Sequence, residues 1–283
     1  SMYMTIFTVI LNAILDPIFI WPLGLGIRGA AYATVLSQLF ALIWQVVMFS
    51  NKAEFIHFKR GIYRLKSQLV KNIIGIGMSP FSMNVCACFV VIIINNSLVD
   101  HGGDMAVGAY GIINRIAFIF VMITIGVNQG MQPIAGYNYG AMKFDRMMRV
   151  LKYAVICGTC VTTVGFIVGQ FFPEQCVRLF TSDETLISLS VHAMRLTTVS
   201  FPIIGFQMVV ANFFQSIGKA KVSVFLSLSR QLVFLIPMLL VLPTLYGVDG
   251  VWYSMPVADT ISALVTAIII YLFMRKINKQ KTI

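Results

Sequence analysis

Apolar stretches long enough to cross a bilayer recur along the whole chain, and nothing else in it narrows the possible folds as much. A helix of about 20 predominantly apolar residues spans the roughly 30 Å hydrocarbon core. Eight stretches qualify: residues 3–22, 29–50, 69–98, 106–128, 149–172, 187–215, 222–244 and 250–274. Turn or charge signals bound each one, for example Pro22–Gly26, Gly102–Gly103 and Gly247–Gly250. Soluble domains carry about 25% charged residues; here 11% are charged and 58% hydrophobic. A membrane barrel would instead show alternating segments of about ten residues. The sequence predicts an all-α, polytopic membrane protein with eight transmembrane helices.

The formal net charge of +11 invites a nucleic-acid partner, but the positions of the charges argue against one. Of 21 Lys and Arg, 16 lie in or beside four segments: 51–71, 143–152, 219–221 and the tail from 275. These are alternate connections, as the positive-inside rule requires. The intervening connections hold Asp100, Asp104, Glu174, Asp183, Glu184 and Asp249, with Arg28 and Arg178 as their bases. The expectation is a multi-pass protein of the cytoplasmic (inner) membrane, with both chain ends cytoplasmic and no nucleic-acid partner. The first apolar stretch has no basic flank and carries a polar pair, so it reads as a span rather than a cleaved signal. Cys86, Cys88, Cys157 and Cys160 all fall inside apolar stretches, which excludes a disulfide framework; the Cys157/Cys160 spacing reads as small-residue packing.

The chain also repeats. "GIRGAAYAT" (26–34) and "GVDGVWYSM" (247–255) share glycine, aliphatic, charge, glycine and then tyrosine at a constant offset of 221. Each opens an outside-to-inside helix after a short hairpin, and an even number of helices separates them. That is a parallel repeat, as in transporters built from two halves related by an axis along the membrane normal. The basic stretch 51–68 is then the linker between residues 1–50 and a carboxy-terminal six-helix lobe, 69–283, with its tail.

Inside the first apolar stretch, "LNAILDPIF" places Asn12 and Asp16 one turn apart on the same helix face. Thr8 extends that stripe. Asp16 precedes Pro22 by six residues and Thr34 follows Gly29 by five, so both lie roughly 8–9 Å below the outer surface. Pro17 has no N–H to donate and frees the carbonyl of Ala13. Carboxylate, amide oxygen, hydroxyl and carbonyl together suit a hard cation, and an intramembrane carboxylate is a functional candidate. The same residues can equally hydrogen-bond one another and lock two helices together. Spacing leaves both readings open.

Five segments, "NAILDPIFIWPLGLGIRGAAYATVLSQ" (12–38), "AYGIINRIAFIF" (109–120), "NQGMQPIAGYNYGA" (128–141), "FFQSIGKAK" (213–221) and "GVWYSMPVAD" (250–259), together resemble multidrug and toxin extrusion (MATE) transporters. The pattern is most similar to the bacterial DNA-damage-inducible-type branch. The resemblance implies a two-lobe architecture that rocks to expel amphipathic, cationic drugs in exchange for Na⁺ or H⁺. It implies that these eight helices correspond to helices five to twelve, with the amino-terminal lobe incomplete. It also implies a cation site: Asn12, Asp16 and Thr34 match the family's Asn and Asp on helix five and Thr on helix six. The family's first-helix Asp has no counterpart in this chain. These three residues would bind Na⁺ if Na⁺ is the coupling ion; no other cofactor is expected, and the protein is expected to be a monomer.

Further intramembrane polar residues are candidates for the substrate pathway: Arg115, Gln129, Gln207, Arg230 and Asp259. Arg230 and Asp259 can alternatively form a structural ion pair between the last two helices. Gln129 and Gln207, with Gln132, Asn212 and Gln215, can serve as interhelix hydrogen-bond partners. At the repeat offset from Asn12 and Asp16 stand Val233 and Pro237, so the cation site is not duplicated there. The Met- and Phe-rich composition suits a deformable cavity, although it is also ordinary for a membrane protein. No Walker motif, HExxH or nucleophile elbow occurs, and the three histidines are scattered, so no enzyme is expected. Two other functions compete: a lipid-linked oligosaccharide flippase of related architecture, which would favour a cation-lined cavity, and a non-transporting membrane scaffold.

Overall fold

The computed structural model describes residues 2–50 and 67–281, and these form helices with no strand among them. The expected linker falls outside the described residues, apart from Ser67 and Gln68, which open a helix. The chain divides into two compact units, Ser1–Asn72 and Ile73–Ile283.

In the first unit, α1 (Met2–Ile20) and α2 (Gly26–Ser50) form a hairpin. Its turn uses Gly24 and Gly26 at φ +64° and +54°, a region that L side chains avoid. Gly29, Ala33 and Ser37 form a buried stripe of small residues on α2, the pattern that lets two helix backbones approach closely in lipid. Away from the turn, Phe7 and Trp44 meet edge to face at 5.4 Å. Most other large side chains of the hairpin are exposed and apolar.

The second unit begins within α3 (Ser67–Gly140), which is interrupted at Gly103 (φ +66°, ψ −169°). A straight helix would hold Ala87 and Val121 about 50 Å apart, yet both line one cavity. The two arms of α3 are therefore folded back on each other, and they supply the spans read at 69–98 and 106–128. The second arm runs on to Gly140, beyond the expected end, because Met131 and Ala135 continue its buried face against Met147, Leu151 and Phe213.

α4 (Phe144–Phe171) carries a glycine stripe. A Cβ at Gly165 would press on Phe120 and Phe201, and one at Gly169 would lie 2.6 Å from Thr198. The GxxxG read in the sequence is thus a close-packing seam. After the short α5 (Pro173–Arg178), the stretch read as one span, 187–215, is two helices. α6 (Glu184–Thr198) and α7 (Phe201–Ser216) meet at a bend of 52°, where Pro202 cannot donate to the preceding turn. Asp183 caps α6 by accepting from the backbone N–H groups of Thr185 and Leu186. The next span comprises α8 (Ala220–Leu228), a π-helical turn (Ser229–Leu235) and α9 (Ile236–Tyr246). Finally α10 (Val248–Lys281) leaves Gly247, at φ +59°.

Five of these helices have the length and hydropathy to cross a bilayer, and the bent α6–α7 pair qualifies as one more. With the folded-back α3 counted as two and the shorter Met4–Ile20 as one, the eight crossings expected from hydropathy are present. The protein is an all-α, multi-pass membrane protein. In the second unit the core lies in two clusters. One gathers Leu98, Val177, Ile187 and Trp252, the other Met147, Phe213, Phe214 and Phe273.

Candidate functional site

Two polar centres interrupt this apolar framework, one in each unit. In the hairpin, the Asn12 side-chain amide faces both of its predicted partners. Asn12 Nδ2 lies 3.5 Å from Asp16 Oδ1 and 3.4 Å from Thr34 Oγ1. Both distances are long for N–H···O bonds. Thr34 Oγ1 donates to the Ala30 carbonyl at 2.9 Å, so its lone pairs face Asn12. Thr8 turns its hydroxyl back to the Met4 carbonyl. Among the described residues no cation pairs with Asp16, which is half-buried on an apolar helix. Turning the Asn12 amide over would add its oxygen to those of Asp16 and Thr34. Three oxygens of mixed charge would then converge on one point, a donor set suited to Na⁺. A proton on Asp16 would satisfy the same geometry.

The second centre lines a cavity of about 330 Å³ between the arms of α3, α7, the π-helical turn and α10. Arg230 Nε donates to Asp259 Oδ1 at 2.6 Å, and Ser200 Oγ donates to Asp259 Oδ2 at 3.1 Å. The π-helical turn carries Arg230 and Gln231 into the wall; such turns break α-helical register and occur often at functional sites. Tyr110, Asn114, Met208 and Met255 complete a mostly apolar lining. Gln231 Oε1 is buried there without a hydrogen-bond partner among the described residues.

The other predicted residues distribute differently. Gln207 is buried and donates to Ser262 Oγ on α10, an interhelix bond. Gln132 Nε2 reaches Asn212 Oδ1 at 3.4 Å in the same manner. Arg115 and Gln129 are exposed, and each stands beside an asparagine. Asn114 lines the cavity, and Asn128 is 2% exposed with both amide atoms unpartnered among the described residues. Sequence reasoning missed Asn114, Ser200 and Gln231. The only local signals were proximity to Arg115, to the Pro202 break and to Arg230. Among the described residues no His, Cys, Asp and Glu group of three or more gathers to hold a metal.

The MatE family model matches residues 80–241, more than half of the chain. The chain belongs to the MATE family. Among curated relatives, the multidrug export protein MepA of Staphylococcus aureus (strain bovine RF122 / ET3-1) is 26% identical over 272 residues, covering 96% of this chain and 60% of MepA. MepA of Staphylococcus saprophyticus is 25% identical over 281 residues, covering 99% and 62%. The chain therefore spans about three fifths of the length of these relatives. Among solved structures, an outward-facing multidrug resistance MATE transporter of the MOP superfamily superposes with a TM-score of 0.87 at 22% identity, covering 98% of this chain and 63% of that one. A MATE protein in a bent conformation gives 0.87 at 22% identity, covering 100% and 63%. This likeness establishes the MATE fold along the described helices.

Proposed function

We propose that these residues serve an ion-coupled antiporter that exports amphipathic, cationic drugs across the cytoplasmic membrane by alternating access. The observation that carries this reading is Asp16. A carboxylate half-buried in an apolar hairpin, with two neutral oxygen donors at hand and no counter-cation among the described residues, needs a cation or a proton to be stable in lipid. Binding of Na⁺ or H⁺ at Asn12, Asp16 and Thr34 would neutralise the face. If the ion binds the two access states with different affinity, its gradient shifts their populations, and that coupling free energy drives export. Family membership and the MepA relatives, named as multidrug export proteins, support the substrate class. On this reading Arg230 and Asp259 belong to the substrate pathway of the second unit while Gln207 braces α7 against α10, both chain ends face the cytoplasm, and the working form is a monomer in the bilayer.

The test is ion-driven dye efflux from proteoliposomes containing the protein that carries these residues. Asp16→Asn should abolish efflux while insertion and folding persist. Asn12→Ala and Thr34→Ala should weaken the ion dependence less, since each removes a neutral ligand. Efflux with unaltered ion dependence in Asp16→Asn would reduce the trio to a helix lock.

A further inference from the structure

The cavity of the second unit has a polarity that the export of cations does not account for. Its lining holds two charged groups of opposite sign, Arg230 and Asp259, and they are not equally accessible. The Asp259 side chain is 6% exposed, and each of its oxygens already accepts a hydrogen bond, from Arg230 and from Ser200. The Arg230 side chain is 32% exposed. Only its Nε is engaged; no described residue accepts from Nη1 or Nη2. The negative charge is therefore sealed in the wall, while the two forked donors of the guanidinium, on a residue that lines the cavity, have no acceptor among the described residues.

The same cavity is lined by Asn114, Tyr110 and Gln231, whose Oε1 has no hydrogen-bond partner among the described residues. The rest of the lining is aliphatic, aromatic and methionine, including Val91, Ile113, Phe120 and Met208. A concave apolar space with a few convergent polar groups is the usual form of a small-molecule site. Guanidinium forks favour planar oxyanions, which they bind with two parallel hydrogen bonds.

We infer that the second unit's cavity binds a small amphipathic compound with one anionic head group, a carboxylate or sulfonate seated on Arg230, with its aromatic body among the apolar walls. A cavity of about 330 Å³ is too small for a two-chain lipid and admits a body of one or two rings. A cation entering the same space would meet the guanidinium before the shielded Asp259. Binding here does not depend on which ion drives export.

Two dyes that differ only in head-group charge test this directly: dansylglycine and its uncharged amide, titrated by fluorescence into the chain in phosphatidylcholine nanodiscs. The carboxylate should bind about tenfold or more tightly than the amide, the scale of a charge-assisted pair. The Arg230→Gln/Asp259→Asn double variant strands no charge, and it should bind both dyes equally. Ala117→Phe fills the cavity, leaves the ion pair intact and should remove saturable binding of both dyes. Equal or tighter binding of the amide by the unaltered chain would overturn the assignment, as would a carboxylate preference that survives in Ala117→Phe or in a folded double variant. Because the titration uses no ion gradient, its failure leaves the efflux reading standing, and a failure of ion-driven efflux does not alter the titration.

Discussion

A methyl group added at Gly29 would lie 2.6 Å from the Phe19 carbonyl oxygen, and one at Gly250 would run into the Leu242 carbonyl. Both obstacles are backbone, which cannot rotate aside. Three residues earlier, Gly26 and Gly247 each take a left-handed φ, +54° and +59°. The two "GxxG" motifs therefore do the same two jobs in each unit, first turning the chain and then letting the returning helix touch its predecessor. This expresses the repeat at residue scale, and it was readable because both jobs demand glycine. Gly111 offers the contrast, since nothing lies within 4 Å of its added Cβ. Gly250→Ala should destabilise the protein by about 1–3 kcal/mol through overpacking, whereas Gly111→Ala should be neutral or stabilise by up to about 1 kcal/mol. Thermal unfolding in detergent distinguishes them; equal shifts for the two variants would contradict the close approach. The proximity of Asn12, Asp16 and Thr34 was legible by helical spacing and depth. Ser200 was not, because nothing local shows that a serine in a hydrophobic segment will meet an aspartate 59 positions away.

At the scale of elements, the α6–α7 bend is stabilised from outside the pair. Gln170 on α4 donates from Nε2 to the Arg195 carbonyl at 2.6 Å and lies 3.0 Å from Thr198 Oγ1. Bends leave carbonyls without their i+4 donor, and a glutamine from the neighbouring helix supplies a substitute. Gly169 beside it permits the approach, since a Cβ there would strike Thr198. The hydropathy of 187–215 identified a span but could not reveal this break, because the compensating donor lies 25 residues earlier in the chain. The π-helical turn at Ser229–Leu235 escaped for a related reason. It carries Arg230, whose partner Asp259 lies on α10, a tertiary contact. Gln170→Leu keeps the volume and removes both bonds. It should cost about 0.5–1.5 kcal/mol, the net worth of a hydrogen bond. The measurements are a lowered Tm and faster amide exchange confined to residues near 195–204. An unchanged exchange pattern would show that the bend holds without α4.

At the scale of the whole chain, the charge pattern and the two cores of the second unit describe one axis. The cluster containing Met147, Ile217, Phe273 and Ile277 lies beside Lys143, Lys219 and Lys276. There Lys219 Nζ sits 4.1 Å over the Phe273 ring, and partial burial with Lys276 nearby lowers its pKa. The other cluster, with Leu98, Ala106, Val177, Ile187 and Val251, lies beside Asp104, Glu174, Glu184 and Asp249. At that end Arg178 bridges Glu174 and Glu184 at 2.9 Å each, and His192 meets Asp249 at 3.0 Å. Lysines gather at one end and most of the acids at the other, so the fold brings together connections that the sequence only alternates. Lys and Arg near span ends are retained on the cytoplasmic side, so the expected outcome is a basic end that faces the cytoplasm. The check is impermeant thiol labelling of intact cells, with all five native cysteines, free in the structure, replaced. Asp104→Cys should label in intact cells, and Lys143→Cys should label only after permeabilisation. The reverse pattern would invert the orientation with the fold intact. Labelling of both from outside would place the two connections on one side, and the second arm of α3 would then not cross the membrane.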